Sequence, residues 1–261
     1  MTLNKTPNSA PEAYGTTYYL GTNGQPHSYF SYDPVRDSAR AQAMVSAVGL
    51  RPGGRILDFG CGVGAMTAAC NSLGHPTIGV DFSPDAIENA LPEARDYVHQ
   101  IGTGGGLSLS DFPNDMVDLV IAKDVFEHVP EDDLQRLGEE LLCIGRQVLA
   151  VIPTTDEAGS FVCGLYNQDK THVTRLTRGA WLGFFPCATV LDLADLTPRV
   201  RPSRQVSGTL SVLLRETDTQ WRQQIMNERI RSRTPVWRQL LRPPDRGFDL
   251  DFDSLFAIMQ S

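Results

Sequence analysis

The sequence predicts an α/β protein with a doubly wound, seven-stranded and mostly parallel sheet, covered by helices on both faces. Three observations lead there. Short apolar runs alternate with segments of helical period from Asp33 to Phe185. Several runs are apolar throughout instead of alternating with polar residues, as strands buried on both faces are. One of them, residues 55–58, leads into a glycine-rich turn that opens a helix.

The elements follow in order. Asp33 is a helix N-cap and Pro34 suits the first helical position. Val35, Ala39, Ala43, Met44, Ala47 and Val48 form the apolar stripe of that helix, and Gly49 ends it. Residues 55–58 are the first strand and 65–73 the helix after it, stopped by Gly74. A second strand spans 77–81, and a helix capped by Ser83 spans 83–90. Strands at 97–101 and 116–122 come next. A helix over 131–144 carries Leu134, Leu137, Leu141 and Leu142 on one side. A fifth strand runs over 147–152 and closes at Pro153. Residues 177–185 read as a helix, 189–193 and 206–214 as two further strands, and 217–232 as a last helix. Residues 1–32 form an aromatic-rich arm or lid, 33–216 the catalytic domain and 217–261 a helical extension.

Composition narrows the function. The chain has 261 residues, 41% hydrophobic and 21% charged, which are globular values and exclude wholesale disorder. A net charge of −8 argues against a general binder of nucleic acid or anionic membrane. No apolar run approaches the ~20 residues of a membrane span, and polar residues 1–11 do not read as a secretory signal. Cys61, Cys70, Cys143, Cys163 and Cys187 show no paired spacing, as expected of reduced thiols in a cytoplasmic protein. No metal-ligand spacing is visible in the sequence. Residues 199–246 hold eleven arginines against four acids, a local +7 that leaves −15 elsewhere. That run reads as solvated surface, with an anionic-substrate patch or an oligomer contact as the alternative.

The chemistry concentrates in Ile56-Leu57-Asp58-Phe59-Gly60-Cys61-Gly62-Val63-Gly64. Glycines at such a turn let the backbone approach a ligand closely, and helix N-terminal amides face it. Gly60, Gly62 and Ala65 also fit the dinucleotide fingerprint. Asp58 argues against that reading, because a carboxylate there repels a pyrophosphate and suits a positive amino group. Asp81 closes the next strand, where an acid can accept both hydroxyls of a ribose.

These residues resemble motif I and the following acidic motif of class I S-adenosylmethionine-dependent methyltransferases. Lys123-Asp124-Val125-Phe126-Glu127-His128-Val129-Pro130 is similar to the fourth-strand motif of the ubiquinone and menaquinone methyltransferase-like subgroup. Asp169-Lys170-Thr171-His172-Val173, followed by Trp181, resembles a segment after strand five in small-molecule members. The resemblance covers about residues 35–215. It implies a seventh strand antiparallel to the fifth and S-adenosylmethionine as cofactor. It also implies that Asp58 and the loop of Gly60, Cys61, Gly62 and Gly64 hold the methionine end, Asp81 the ribose and Phe82 the adenine. Leu107, Lys123, Asp124 and His128 complete the expected cofactor set. The acid that relatives carry after strand three is missing from residues 101–107, and Asp111 could serve only if the loop folds back.

His172 and His128 are the candidate general bases, since imidazole titrates near neutral pH. The alternative is that they shape the loops. Tyr18, Tyr19 and Tyr29 are candidate lid or substrate residues, with simple packing of the arm as the alternative. Cys61 reads as packing and Trp181 as core. The leading functional reading is methyl transfer to a small molecule in bacterial secondary or cofactor metabolism. A second reading closes the cofactor's aminocarboxypropyl chain into azetidine-2-carboxylate and releases methylthioadenosine. A tRNA methyltransferase and a non-catalytic binding module are lesser readings. A second copy of the chain stays open as a partner; a membrane does not.

Overall fold

The computed structural model describes residues 14, 15, 18, 32–102, 108–185, 188–191, 193 and 208–215. Helix α1 (Pro34–Val48) begins at Asp33, whose carboxylate accepts from the Val35 and Arg36 amides. It ends at Gly49 in the left-handed conformation that glycine adopts without strain. Strand β1 (Ile56–Phe59) leads through the glycine turn into α2 (Ala65–Ser72). Strand β2 (Thr77–Asp81), the short α3 (Pro84–Glu88) and β3 (Val98–Gln100) follow. Ser83 caps α3 by accepting from Ala86 N. Strand β4 (Leu119–Lys123), α4 (Glu131–Ile144) and β5 (Gln147–Pro153) complete the regular alternation. Helix α5 (Arg178–Phe184), capped by Thr177, precedes β6 (Thr189–Leu191) and β7 (Thr209–Arg215).

The seven strands lie in the order β3-β2-β1-β4-β5-β7-β6. The five strands from β3 to β5 pair in parallel. Strand β7 runs antiparallel to β5 over its whole length, from Gln147 opposite Arg215 to Pro153 opposite Thr209, and β6 runs antiparallel to β7. The expected sheet and its antiparallel seventh strand are therefore present.

Side chains alternate between two cores. Leu57, Val120, Ala122, Val148, Ala150 and Ile152 pack under α4 and α5 with Leu134, Leu137 and Trp181. Ile56, Leu119, Ile121, Leu149 and Val151 pack under α1 and α2 with Met44, Val45 and Ala69. Two buried faces explain the apolar β4 and β5. Trp181 is fully buried, and its Nε1 donates to the Pro153 carbonyl at 3.3 Å. The chain order reverses between β1 and β4, which opens a crevice outside the carboxyl ends of these strands.

The arginine run falls outside the described residues except for Arg215, as do residues 217–261, Tyr19, Tyr29, Leu107 and Cys187. No helix among the described residues is long and apolar enough to cross a membrane.

Candidate active site

The first half of the site is built by β1, β2 and the turn between β1 and α2. Gly60, Gly62 and Gly64 all have positive φ. At Gly64 (φ 87°) an added Cβ would collide with the Ala94 methyl, so both backbone and space demand glycine. Gly64 caps α2 without a side chain, leaving the first-turn amides free of any side-chain acceptor. Asp81 is buried and tied to this loop. Its Oδ2 accepts from Gly62 N at 2.8 Å and its Oδ1 from Ser83 N at 2.9 Å. Asp58, also buried, accepts from Thr67 Oγ1 at 2.7 Å.

Burial pushes the Asp58 carboxyl up to about 6, and the neighbouring Asp81 charge adds to this. Burial raises Asp81 as well, against the pull of its backbone donors. Two buried acids side by side favour a ligand that brings positive charge. Burial also drives the Cys61 thiol well above its usual range, which leaves it protonated and supports the packing reading.

The arm reaches this half. Ser83 Oγ donates to the Tyr14 carbonyl at 2.8 Å. The Tyr14 ring meets Phe82 edge-on at 4.8 Å, Tyr18 at 5.0 Å and His128 at 5.5 Å. Its hydroxyl is buried without a hydrogen-bond partner. Tyr18 Oη donates to Asp169 Oδ2 at 2.9 Å. Tyr14 and Tyr18 thus link the end of β2 to the loop after β5, across the carboxyl edge of the sheet.

The second half joins the segments after β4 and β5. Phe126 anchors the turn Phe126–His128 in the core, against Phe185. Thr174 N donates to the Glu127 carbonyl at 3.0 Å and Thr174 Oγ1 to the Val129 carbonyl at 2.5 Å. These bonds bring His128 and His172 face to face, with ring centroids 4.7 Å apart. His172 Nδ1 meets the Tyr166 carbonyl at 2.8 Å, so this nitrogen carries the proton. His128 Nδ1 lies 3.0 Å from Thr171 Oγ1 and 3.3 Å from the Thr171 carbonyl. Thr171 Oγ1 gives its one proton to Asp169 Oδ1, so His128 Nδ1 is a donor too.

Glu127 is fully buried, and His172 Nε2 stands 3.9 Å from its Oε1 and 3.6 Å from Asp169 Oδ2. Burial and the Asp124 charge push Glu127 well above the carboxylate range. Burial and the neighbouring His172 hold His128 down at about 4, and burial also lowers His172. The Asp124 carboxylate takes the Lys123 ammonium and the Tyr166 hydroxyl, the latter at 3.0 Å.

The structure therefore gathers Asp58, Gly60, Cys61, Gly62, Gly64, Asp81 and Phe82 at one strand-end cluster. Lys123, Asp124, His128 and His172 form a second cluster, and Tyr14 and Tyr18 lie across both. Asp111 accepts from Ser108 N at 2.7 Å and caps its own turn. Sequence reasoning missed Tyr14, Tyr166 and Glu127 as site residues. The signal for Glu127 was a charged side chain directly after the apolar Val125-Phe126 pair. It also saw no metal-ligand cluster, because Glu127 and His128 meet His172 only through the sheet edge.

The chain is similar to known proteins in sequence and in fold. Residues 57–144 match the family model of a methyltransferase domain. The chain is 36% identical over 114 residues to the mitochondrial ubiquinone biosynthesis O-methyltransferase of Schizosaccharomyces pombe, covering 40% of this chain and 39% of that protein. It is 37% identical over 92 residues to the indolepyruvate C-methyltransferase of Streptomyces griseus, covering 32% of this chain and 27% of that protein. The chain thus spans less than half the length of these curated relatives. In fold it is similar to a SAM-dependent methyltransferase from Archaeoglobus fulgidus. That match has a TM-score of 0.50 and 15% identity, and covers 68% of this chain and 93% of the other. The fold is that of the class I S-adenosylmethionine-dependent methyltransferases, and residues 57–144 carry the methyltransferase-domain match. S-adenosylmethionine is the cofactor of that class, and the residues present fit it: a glycine loop, free helix amides and two buried acids awaiting positive charge.

Proposed function

We propose that this protein transfers the methyl group of S-adenosylmethionine to a small-molecule acceptor, in bacterial secondary or cofactor metabolism and in the cytoplasm. The observation that carries the reading is the pair of buried carboxylates, Asp58 and Asp81, at adjacent strand ends around the glycine loop. When bound, the cofactor supplies a methyl group activated by a sulfonium. Asp58 and the glycine loop hold its amino-acid end, Asp81 its ribose, and Phe82 and Lys123 border it. Tyr14 and Tyr18 restrict water at the reacting centre.

An acceptor hydroxyl, amine or activated carbon loses a proton as it takes the methyl. His172 Nδ1 is bound to the Tyr166 carbonyl, which leaves Nε2 bare and able to take that proton. His128, held through Thr171, stands beside it.

Chromatography with mass spectrometry of the full chain, incubated with S-adenosylmethionine alone and then with a metabolite panel, tests the reading. We expect an intact cofactor without acceptor, and S-adenosylhomocysteine with a methylated product when the right acceptor is present. Methylthioadenosine formed without acceptor would replace methyl transfer by the cyclisation reading.

A further inference from the structure

Methyl transfer needs a cofactor site and a place for the acceptor; it does not explain the environment of Glu127. Glu127, His128 and His172 each offer one ligand atom, and these atoms lie within 4.8 Å of one another. Both carboxylate oxygens of Glu127 and Nε2 of His172 are buried without a hydrogen-bond partner. Buried polar atoms left unsatisfied in this way carry the full cost of their lost hydration. One group that accepts electron pairs from several of them at once removes the cost.

We propose that Glu127, His128 and His172 bind one divalent first-row transition-metal ion beside the cofactor crevice. Two imidazoles and one carboxylate are a donor set for zinc, iron, cobalt or manganese, whereas magnesium and calcium prefer all-oxygen sites. The surroundings are those of a built site. Nδ1 of His172 faces the Tyr166 carbonyl and Nδ1 of His128 faces the Thr171 carbonyl. This second layer fixes each ring and leaves its other nitrogen without a proton, as a ligand requires. Asp124 does not join, because Lys123 and Tyr166 occupy its carboxylate. Asp169 borders the site, held by Tyr18 and Thr171. Ligands about 2.1 Å from one tetrahedral ion lie about 3.4 Å apart. The cluster, whose ligand atoms lie within 4.8 Å of one another, therefore closes by about 1 Å on binding, within the reach of side-chain torsions.

Three protein ligands leave coordination positions open. An oxygen or nitrogen donor of the acceptor can take one. The inference goes beyond methyl transfer and revises one part of it: with the ion present, His128 and His172 are ligands, and the ion lowers the pKa of the bound acceptor so that its proton leaves to water instead of to a ring nitrogen.

The test uses the full chain, stripped with a chelator, dialysed, and titrated with cobalt(II) alone and then with zinc(II). We expect one cobalt per chain with visible d–d absorption, displaced by zinc. His172→Gln and Glu127→Gln should each weaken binding by at least about 10–100-fold, with circular dichroism unchanged. Glu139→Gln should leave it as in the unsubstituted chain. No stoichiometric binding, or equal binding in both variants, overturns the proposal. Should a variant fail to fold, pulsed electron paramagnetic resonance of the unsubstituted chain with copper(II) decides: two imidazole nitrogens uphold the site, fewer overturn it. None of these readouts uses methyl transfer, so failure here leaves the transfer assay standing.

Discussion

Asp58 holds the clearest electrostatic tension in the molecule. Burial raises its carboxyl to about 6, above the ordinary aspartate value. Between the ordinary value and about 6, the folded chain holds a proton that the unfolded chain has released. This group therefore makes the free protein less stable as pH rises through that window. A bound cation reverses the balance, because it favours the ionised form. Cofactor affinity should therefore be highest above about pH 6 and fall about tenfold per unit further below it. Calorimetric titration with S-adenosylhomocysteine across that range checks this. Asp58→Asn should bind more weakly at pH 7.5 and lose the dependence; an unchanged profile would remove Asp58 from the site. Tyr18 tests the arm in the same way. Tyr18→Phe removes the hydroxyl that donates to Asp169 Oδ2. It should cost about 1 kcal/mol or less in stability by denaturant unfolding, and should slow transfer more than it weakens cofactor binding.

At the scale of elements, the turn from β1 into α2 is the most constrained piece of chain. Gly64 combines positive φ with direct contact on Ala94 and Val98. Gly64→Ala should lower stability by about 1–3 kcal/mol, measured by urea unfolding, and displace the loop enough to weaken cofactor binding. Gly74→Ala is the contrast. Its φ is also positive, yet nothing lies within 4 Å of the added methyl. It should cost backbone strain alone and spare the cofactor. The loops after β4 and β5 behave as one unit, because Thr174 ties them through the Glu127 and Val129 carbonyls. The His128–His172 pair therefore depends on a contact between segments far apart in the chain, as the Thr174–Val129 separation of 45 shows.

For the whole molecule, cofactor binding at the proposed site should be coupled to folding, since the glycine loop and both acids come together only in the native state. At a ligand concentration of about 100 times Kd the fold gains about 2.7 kcal/mol, which for a domain of this size raises Tm by about 5–10 °C. Differential scanning fluorimetry with S-adenosylmethionine measures it, and no shift at saturating ligand would contradict the cofactor site. The negative charge is not spread evenly here either. Asp58, Asp81, Asp124 and Asp169 gather at the carboxyl edge of the sheet, and Lys123 is spent on Asp124. A crevice of this sign suits positive ligands or ions better than phosphates.

Much of this architecture was legible in the residues alone. Apolar runs, helix caps at Asp33 and Ser83, and stops at Gly49 and Gly74 are local signals, and local sterics and capping place elements without reference to the rest of the chain. Motif I with Asp58 and Asp81 was legible for the same reason: strand, turn and helix are consecutive. The second half of the site was not. Tyr14 gains its place from a bond to Ser83, 69 residues away, and Thr171 meets His128 across 43 residues. The orphaned oxygens of Glu127 arise because a polar side chain after β4 is roofed by the loop after β5. Spacing along the chain carries no record of such encounters. The sequence by itself determined the elements, their order and the glycine loop; only the tertiary structure decided which acids, imidazoles and tyrosines share one crevice, because burial and proximity are properties of the packed sheet edge.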